Sequence, residues 1–414
     1  MTEVHGLVDH LFRHSAGQMV ATLTRVFGAE HLALAEEVVQ EALISAMQQW
    51  SLGGIPENPR AWLFQVARNR ALDTLRRDAN LRGKEPAIVD AFRERSAEDE
   101  PRFAHELRDD QLRMMLMCCH PAIPRESRIA LTLKTVGGFS VAEIARAFLT
   151  KKETIAQRIV RAKRLIREER IPIEMPSRAE LPSRLESLLE VLYLLFNEGY
   201  AAHAGEDLIR NDLCAEAIRL ARQLVEHPAT ALPEAQALLA LMLLQSSRTP
   251  ARVDEEGELV PLEEQDRTLW NQSMLAEGLR TFGRSASGER LTAYHVEAAI
   301  AACHAVAPSF EETDWAAIVE HYDQLHALKP TPVVALNRAV AIAMAQGPQA
   351  GIDALEEIAA HPSLREYTPL AITLGELHLR TGDRKRAAEF FTRALELPGP
   401  MAEKRFVLRK LAAL

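Results

Sequence analysis

Apolar residues recur at three- and four-residue steps along almost the whole chain, the spacing of helices with one buried stripe. In "HLALAEEVVQEALISAMQQW" the stripe is Val39, Leu43, Met47 and Trp50. In "ENPRAWLFQVARNRALDTLRR", Asn58 is placed to cap and Pro59 to take the first helical position, where its missing amide costs nothing. Leu63, Val66, Ala67, Ala71 and Leu75 form the inward side of that helix. "SVAEIARAFL" opens with a capping box of Ser140 and Glu143 and buries Val141, Ile144, Ala145 and Phe148. A second box, Thr150 with Glu153, is expected to start the next helix, whose stripe is Ile155, Ile159, Ala162 and Ile166. Thr154, Gln157, Arg158, Arg161 and Arg164 fall on its wet sides. Two short capped helices joined by about three residues predict a helix-turn-helix, whose second helix enters the major groove. Alternating Val/Ile/Thr runs are nearly absent, so the expected fold class is all-α.

Breaks in this pattern divide the chain. Residues 1–82 read as one small helical domain, 83–107 as a polar, acidic tether, and 108–172 as a compact helical unit holding the helix-turn-helix. "IPIEMPSRAELPS", with Pro172, Pro176 and Pro182, predicts a boundary. A helical extension over 173–290 follows, interrupted by a loop with Pro250, Gly257 and Pro261. Residues 291–414 carry a weak repeat. Leu374, Gly375, Ala387, Phe391 and Ala394 stand at the offsets of a tetratricopeptide repeat, and Tyr322, Leu325 and Pro330 repeat part of that pattern.

The 414 residues are 47% hydrophobic but only 5% aromatic, with a net charge of −9. Its distribution is uneven. The first 175 residues hold 26 basic against 24 acidic side chains, the remainder 23 against 34. Residues 60–84 and 140–170 are cationic islands, and residues 85–110 between them are anionic, which suggests two contacts with one polyanion. No apolar run approaches the roughly 18 residues of a membrane span. The N-terminus lacks the charged start and apolar core of a signal peptide. The expected location is the cytoplasm, with no membrane partner. Cys118, Cys119 and His120 are adjacent, and neighbouring residues cannot readily converge on one tetrahedral metal. We expect no metal and no cofactor, and read Cys118, Cys119, Cys214 and Cys303 as core. Glu198, His203, Glu206 and Asp207 in "FNEGYAAHAGED" read as a polar turn. With no phosphate loop or nucleophile elbow beside them, no enzyme is expected.

Three stretches resemble the extracytoplasmic-function (ECF) group of sigma-70-type initiation factors. "AEEVVQEAL" resembles the core-binding segment of region 2, and "NPRAWLFQVARNRALDTLRR" resembles regions 2.3 and 2.4. "GGFSVAEIARAFLTKKETIAQRIVRAKRLIRE" resembles region 4. The extension, with "YLLFNEGY", is similar to the subgroup carrying a C-terminal tetratricopeptide-like domain that regulates the factor, typically without a dedicated anti-sigma factor. The resemblance implies core RNA polymerase (β′ clamp helices and β flap) and promoter DNA as partners. It implies that Glu37, Gln40 and Glu41, at i, i+3 and i+4, meet the clamp helices. At the −10 element Arg70, Arg76, Arg77 and Arg82 would hold phosphates, and Asn69 and Asn80 an extruded base. At the −35 element the contacts would be Lys151, Lys152, Thr154, Gln157, Arg158 and Arg161, with Gln157 and Arg158 reading bases. Trp62 is read as a core anchor rather than a stacking wedge. The extension is expected to contact the sigma domains or to respond to a partner. The other reading is a helix-turn-helix regulator with a sensory repeat domain, which leaves "AEEVVQEAL" and the Trp62–Arg77 segment unexplained.

Overall fold

The computed structural model describes residues 2–81, 105–148, 150–200, 211–254, 260–399 and 401–414. Arg82, most of the 83–107 tether, Gly257, and the His203, Glu206 and Asp207 cluster lie outside the described residues. The described residues form eighteen α-helices joined by turns and short 3-10 segments. They fall into two compact units, Met1–Val191 and Leu192–Leu414.

In the first unit α1 (Thr2–Phe27), α2 (Leu32–Gly53) and α3 (Pro59–Leu81) make one bundle. The predicted stripes face its core: Val39, Leu43, Trp50, Leu63, Ala67, Ala71 and Leu75 are buried. The Asn58 Oδ1 accepts from the Ala61 amide at 3.1 Å, so the expected cap forms. Trp62 is half-buried with its ring set edge-on against buried Trp50, 5.4 Å between centroids. Four further helices follow: α4 (His105–Cys118), α5 (Arg125–Thr135), α6 (Val141–Ala147) and α7 (Lys152–Glu168).

The Ser140–Glu143 capping box is present, with both reciprocal hydrogen bonds made. The box expected at Thr150 is not: α7 has Lys151 at its N-cap with no side-chain bond. The Thr150 amide instead donates to the Ala145 carbonyl at 2.9 Å and closes the end of α6. With its amide used there, Thr150 cannot receive the Glu153 carboxylate that a capping box requires. Ile155, Ile159, Ala162 and Ile166 are all buried, as the spacing predicts.

Pro182 does not break a helix. It sits in the first turn of α8 (Leu181–Tyr200), where proline is tolerated. The first half of α8 packs within the first unit. Arg184, buried, donates to the Leu116 carbonyl at 3.2 Å, Arg128 donates to Ser187 Oγ at 2.7 Å, and Arg125 pairs with Glu190. Cys118 and Cys119 are fully buried at the end of α4, and burial pushes the Cys119 thiol up to about 12.

The second unit comprises the rest of α8, α9 (Asn211–Glu226), α10 (Pro233–Ser246), α11 (Gln272–Ser285), α12 (Ala293–Val306) and α13 (Trp315–Leu328). It ends with α14 (Pro332–Gln346), α15 (Pro348–Ala359), α16 (Thr368–Arg380), α17 (Arg384–Glu396) and α18 (Met401–Ala412). From α13 onward each helix packs on the next. At α16 and α17 the repeat positions are buried, Ala387, Phe391 and Ala394 in one cluster and Leu374 in the neighbouring one. Gly375 is required there: a Cβ on it would lie 2.6 Å from the Phe391 ring.

Candidate nucleic-acid interface

The two cationic islands become two helix faces of the first unit. On α7, Lys151, Lys152, Gln157 and Arg161 are exposed, while Thr154 and Arg158 are half-buried. The charges stand opposite the Ile155–Ile166 stripe that anchors the helix. Arg158 is ion-paired with Glu126 near the start of α5. The guanidinium is therefore held in place and must exchange partners to reach a base.

On α3, Asn69 and Arg77 are exposed and Arg76 is half-buried. Asn69 Oδ1 accepts from Gln65 Nε2 at 3.3 Å, and Arg76 pairs with Asp73 at 3.4 Å. The Asn80 side chain, like Arg82, lies outside the described residues. Arg70 sits differently: its guanidinium reaches α2, pairing with Glu41 at 2.5 Å and donating to Ser45 Oγ at 2.7 Å. Arg70 and Glu41, expected on separate surfaces, therefore meet, and Glu37 and Gln40 remain exposed beside them on α2.

A further contact was not visible in the sequence. Glu36 accepts from Thr135 Oγ1 at 2.8 Å and from Lys163 Nζ at 2.5 Å. This ties α2 to α5 and α7 across 99 and 127 residues of chain. Arg25 and Arg113 pair with Asp110, which is 1% exposed, at 2.8 and 2.7 Å. Gly17 of α1 comes so close to α5's end that an added Cβ would sit 2.3 Å from the Val136 carbonyl oxygen. The helices carrying the two cationic faces are thus locked into one body.

The family models match in the order of these elements. Sigma-70 region 2 matches residues 11–80, spanning most of α1 with α2 and α3, and sigma-70 region 4 matches residues 113–166, spanning most of α4 to α7. The chain belongs to the sigma-70 family. A family of unknown function, DUF6596, covers residues 184–286 of the extension. An uncharacterized protein of Rhizobium meliloti (strain 1021) is 39% identical over 410 residues, 98% of this chain and 95% of that relative. This sigma-70 factor is ECF-like, an alternative sigma factor that binds core RNA polymerase and promoter DNA. Among the described residues no helix is long and apolar enough to cross a membrane, and no cluster of metal-ligating side chains occurs.

Proposed function

We propose that the factor grips promoters at two places, with α3 at the −10 element and α7 at the −35 element, and docks on polymerase through α2. The observation that carries this reading is the exposed polar face of α7 following a short capped helix. Lys151 and Lys152 at its start suit phosphates, and Gln157 and Arg158 lie one to two turns further in, where base edges are read. On α3, Asn69, Arg76 and Arg77 supply hydrogen-bonding and cationic groups along one helix. Glu37, Gln40 and Glu41 form an acidic, wet face on α2, suited to the basic side of the clamp helices. The Arg70–Glu41 pair joins these surfaces, so that DNA and polymerase binding influence each other through one ion pair.

The extension is proposed to be a tetratricopeptide-like regulatory domain. Its successive helix packing and the Gly375–Phe391 contact support that reading, and the −11 charge of residues 176–414, in a chain with two cationic islands, favours contact with the sigma domains. The test is in vitro transcription by the full-length protein with bare core polymerase. Promoter-specific initiation is the expected result, abolished together with core binding by Glu37→Lys/Glu41→Lys in a folded protein. A folded double variant that still binds core polymerase fully would remove the assignment of the α2 face.

A further inference from the structure

The second unit encloses a cavity of about 450 Å³, within the range that small organic ligands fill. Its walls come from α8, α10, α12, α13 and α14, so the DUF6596 match supplies one side and the helices beyond it the other. The deep wall is apolar, with Phe196, Leu241, Ile300 and Leu325 all buried. The mouth lies at Val333, 41% exposed, and Asn337.

One side of the cavity is polar. Tyr193 Oη donates to Glu297 Oε2 at 2.8 Å. Lys329 Nζ lies 3.4 Å from Glu297 Oε1 and 3.3 Å from Tyr193 Oη, and 4.8 Å from the centre of the Tyr193 ring. Both oxygens of Glu297 are therefore engaged, and its side chain is only 16% exposed. Burial raises its carboxyl, with Lys329 acting against that shift.

Lys329 is less well served. Its two contacts are longer than the 2.7–2.9 Å of good charge-assisted hydrogen bonds. Its side chain is 39% exposed, and an ammonium has three donors to place. Tyr322 lines the same cavity, and among the described residues its hydroxyl has no hydrogen-bond partner. Two donors without good acceptors thus stand beside a deep apolar wall. That combination selects against several ligand classes. A cation would meet Lys329 and find Glu297 already satisfied. A phosphate dianion would find a single cationic side chain, since Lys329 is the one Lys or Arg among the described residues of the lining.

We propose that this cavity binds a small amphipathic carboxylate, its head on Lys329 Nζ and Tyr322 Oη and its hydrocarbon body against Phe196, Leu241, Ile300 and Leu325. The proposal does not depend on the promoter reading, because its test reads binding alone. Full-length protein is titrated calorimetrically with decanoate, decanol and decylamine, which share one body and differ in the head. Decanoate is expected to bind saturably, one per chain, and decanol roughly ten- to a hundredfold more weakly, the value of a charged hydrogen-bonded head. Decylamine is expected to be weaker still. Tyr322→Phe should lower decanoate affinity and leave decanol unchanged, and Lys329→Met should erase the preference for decanoate. Should Lys329→Met fail to fold, Val333→Trp decides, since it blocks the exposed mouth without touching Tyr193, Glu297 or Lys329. Absence of saturable decanoate binding, equal affinity for decanol, or undiminished binding by Val333→Trp would each overturn the proposal.

Discussion

Arg158 carries two possible partners, and the difference between them decides what it contributes. In the free protein it faces Glu126, an ion pair with one side 68% exposed, of a kind worth at most about 1 kcal/mol. A bidentate guanine contact is worth about 1–3 kcal/mol of discrimination, so DNA wins the exchange. Arg158→Ala should therefore lose preference for the cognate −35 sequence over a scrambled one by about 1–3 kcal/mol in competition binding. Lys151→Ala and Lys152→Ala should weaken both sequences alike and each lower the salt slope by about one. Equal loss on both sequences for Arg158→Ala would reduce it to a phosphate contact. The thiols give a second residue-scale prediction. Burial raises Cys118, Cys119, Cys214 and Cys303, the second and third to about 12. A raised thiol holds little thiolate below its own pKa, so in native protein at pH 8 buried Cys118, Cys119 and Cys214 should react slowly with a disulfide reagent, half-buried Cys303 ahead of them, and all four equivalents should be released in denaturant. Fast reaction at Cys118 or Cys119 would mean that the end of α4 opens.

Helices were legible wherever one stripe and one cap decided them. The Ile155–Ile166 stripe and the Ser140 box depend on residues within about three turns of one another, and both are present. Thr150 was misread because the competing use of its amide depends on where the previous helix ends, which periodicity does not fix. Pro182 was misread as part of a break because its meaning turns on which side of it the helix lies. The packing of α8 on the region 4 helices was illegible for a different reason. It depends on Arg128, Arg184 and Glu190 finding partners about 60 residues or more away in the chain. This contact carries a prediction. A chain ending at Ile173 loses the Arg184–Leu116 and Arg128–Ser187 hydrogen bonds together with buried Leu185, Leu188 and Leu189. It should melt several degrees below a chain ending at Val191, since burying three leucines alone is worth several kcal/mol. Equal melting temperatures would show that α8 contributes nothing to the first unit.

At the scale of the whole molecule, the contacts around Glu36 set a length. A compact unit of 191 residues has a radius of gyration near 16 Å, hence a breadth of roughly 40 Å. Elements at −35 and −10 lie some 25 base pairs apart, about 85 Å along the duplex at ~3.4 Å per pair. On the two-grip reading, the body closed by Glu36, Thr135 and Lys163 cannot lie on both. By chain length alone, the 23 residues between Leu81 and His105 can reach no further than about 80 Å, so connectivity does not forbid the two halves from parting. Removing one partner from a mostly buried ion pair leaves the other charge unpaid for, so Lys163→Met should favour the open form. Dyes on Gln65→Cys in α3 and Arg167→Cys in α7, both exposed sites, should report a longer separation in Lys163→Met than in the parent, and in the parent once promoter DNA and core polymerase are added. An unchanged separation on the promoter complex would mean that one closed body serves both elements. On that reading the first unit, free in solution, is a folded rule about half the length of the object it measures, and binding is what opens it.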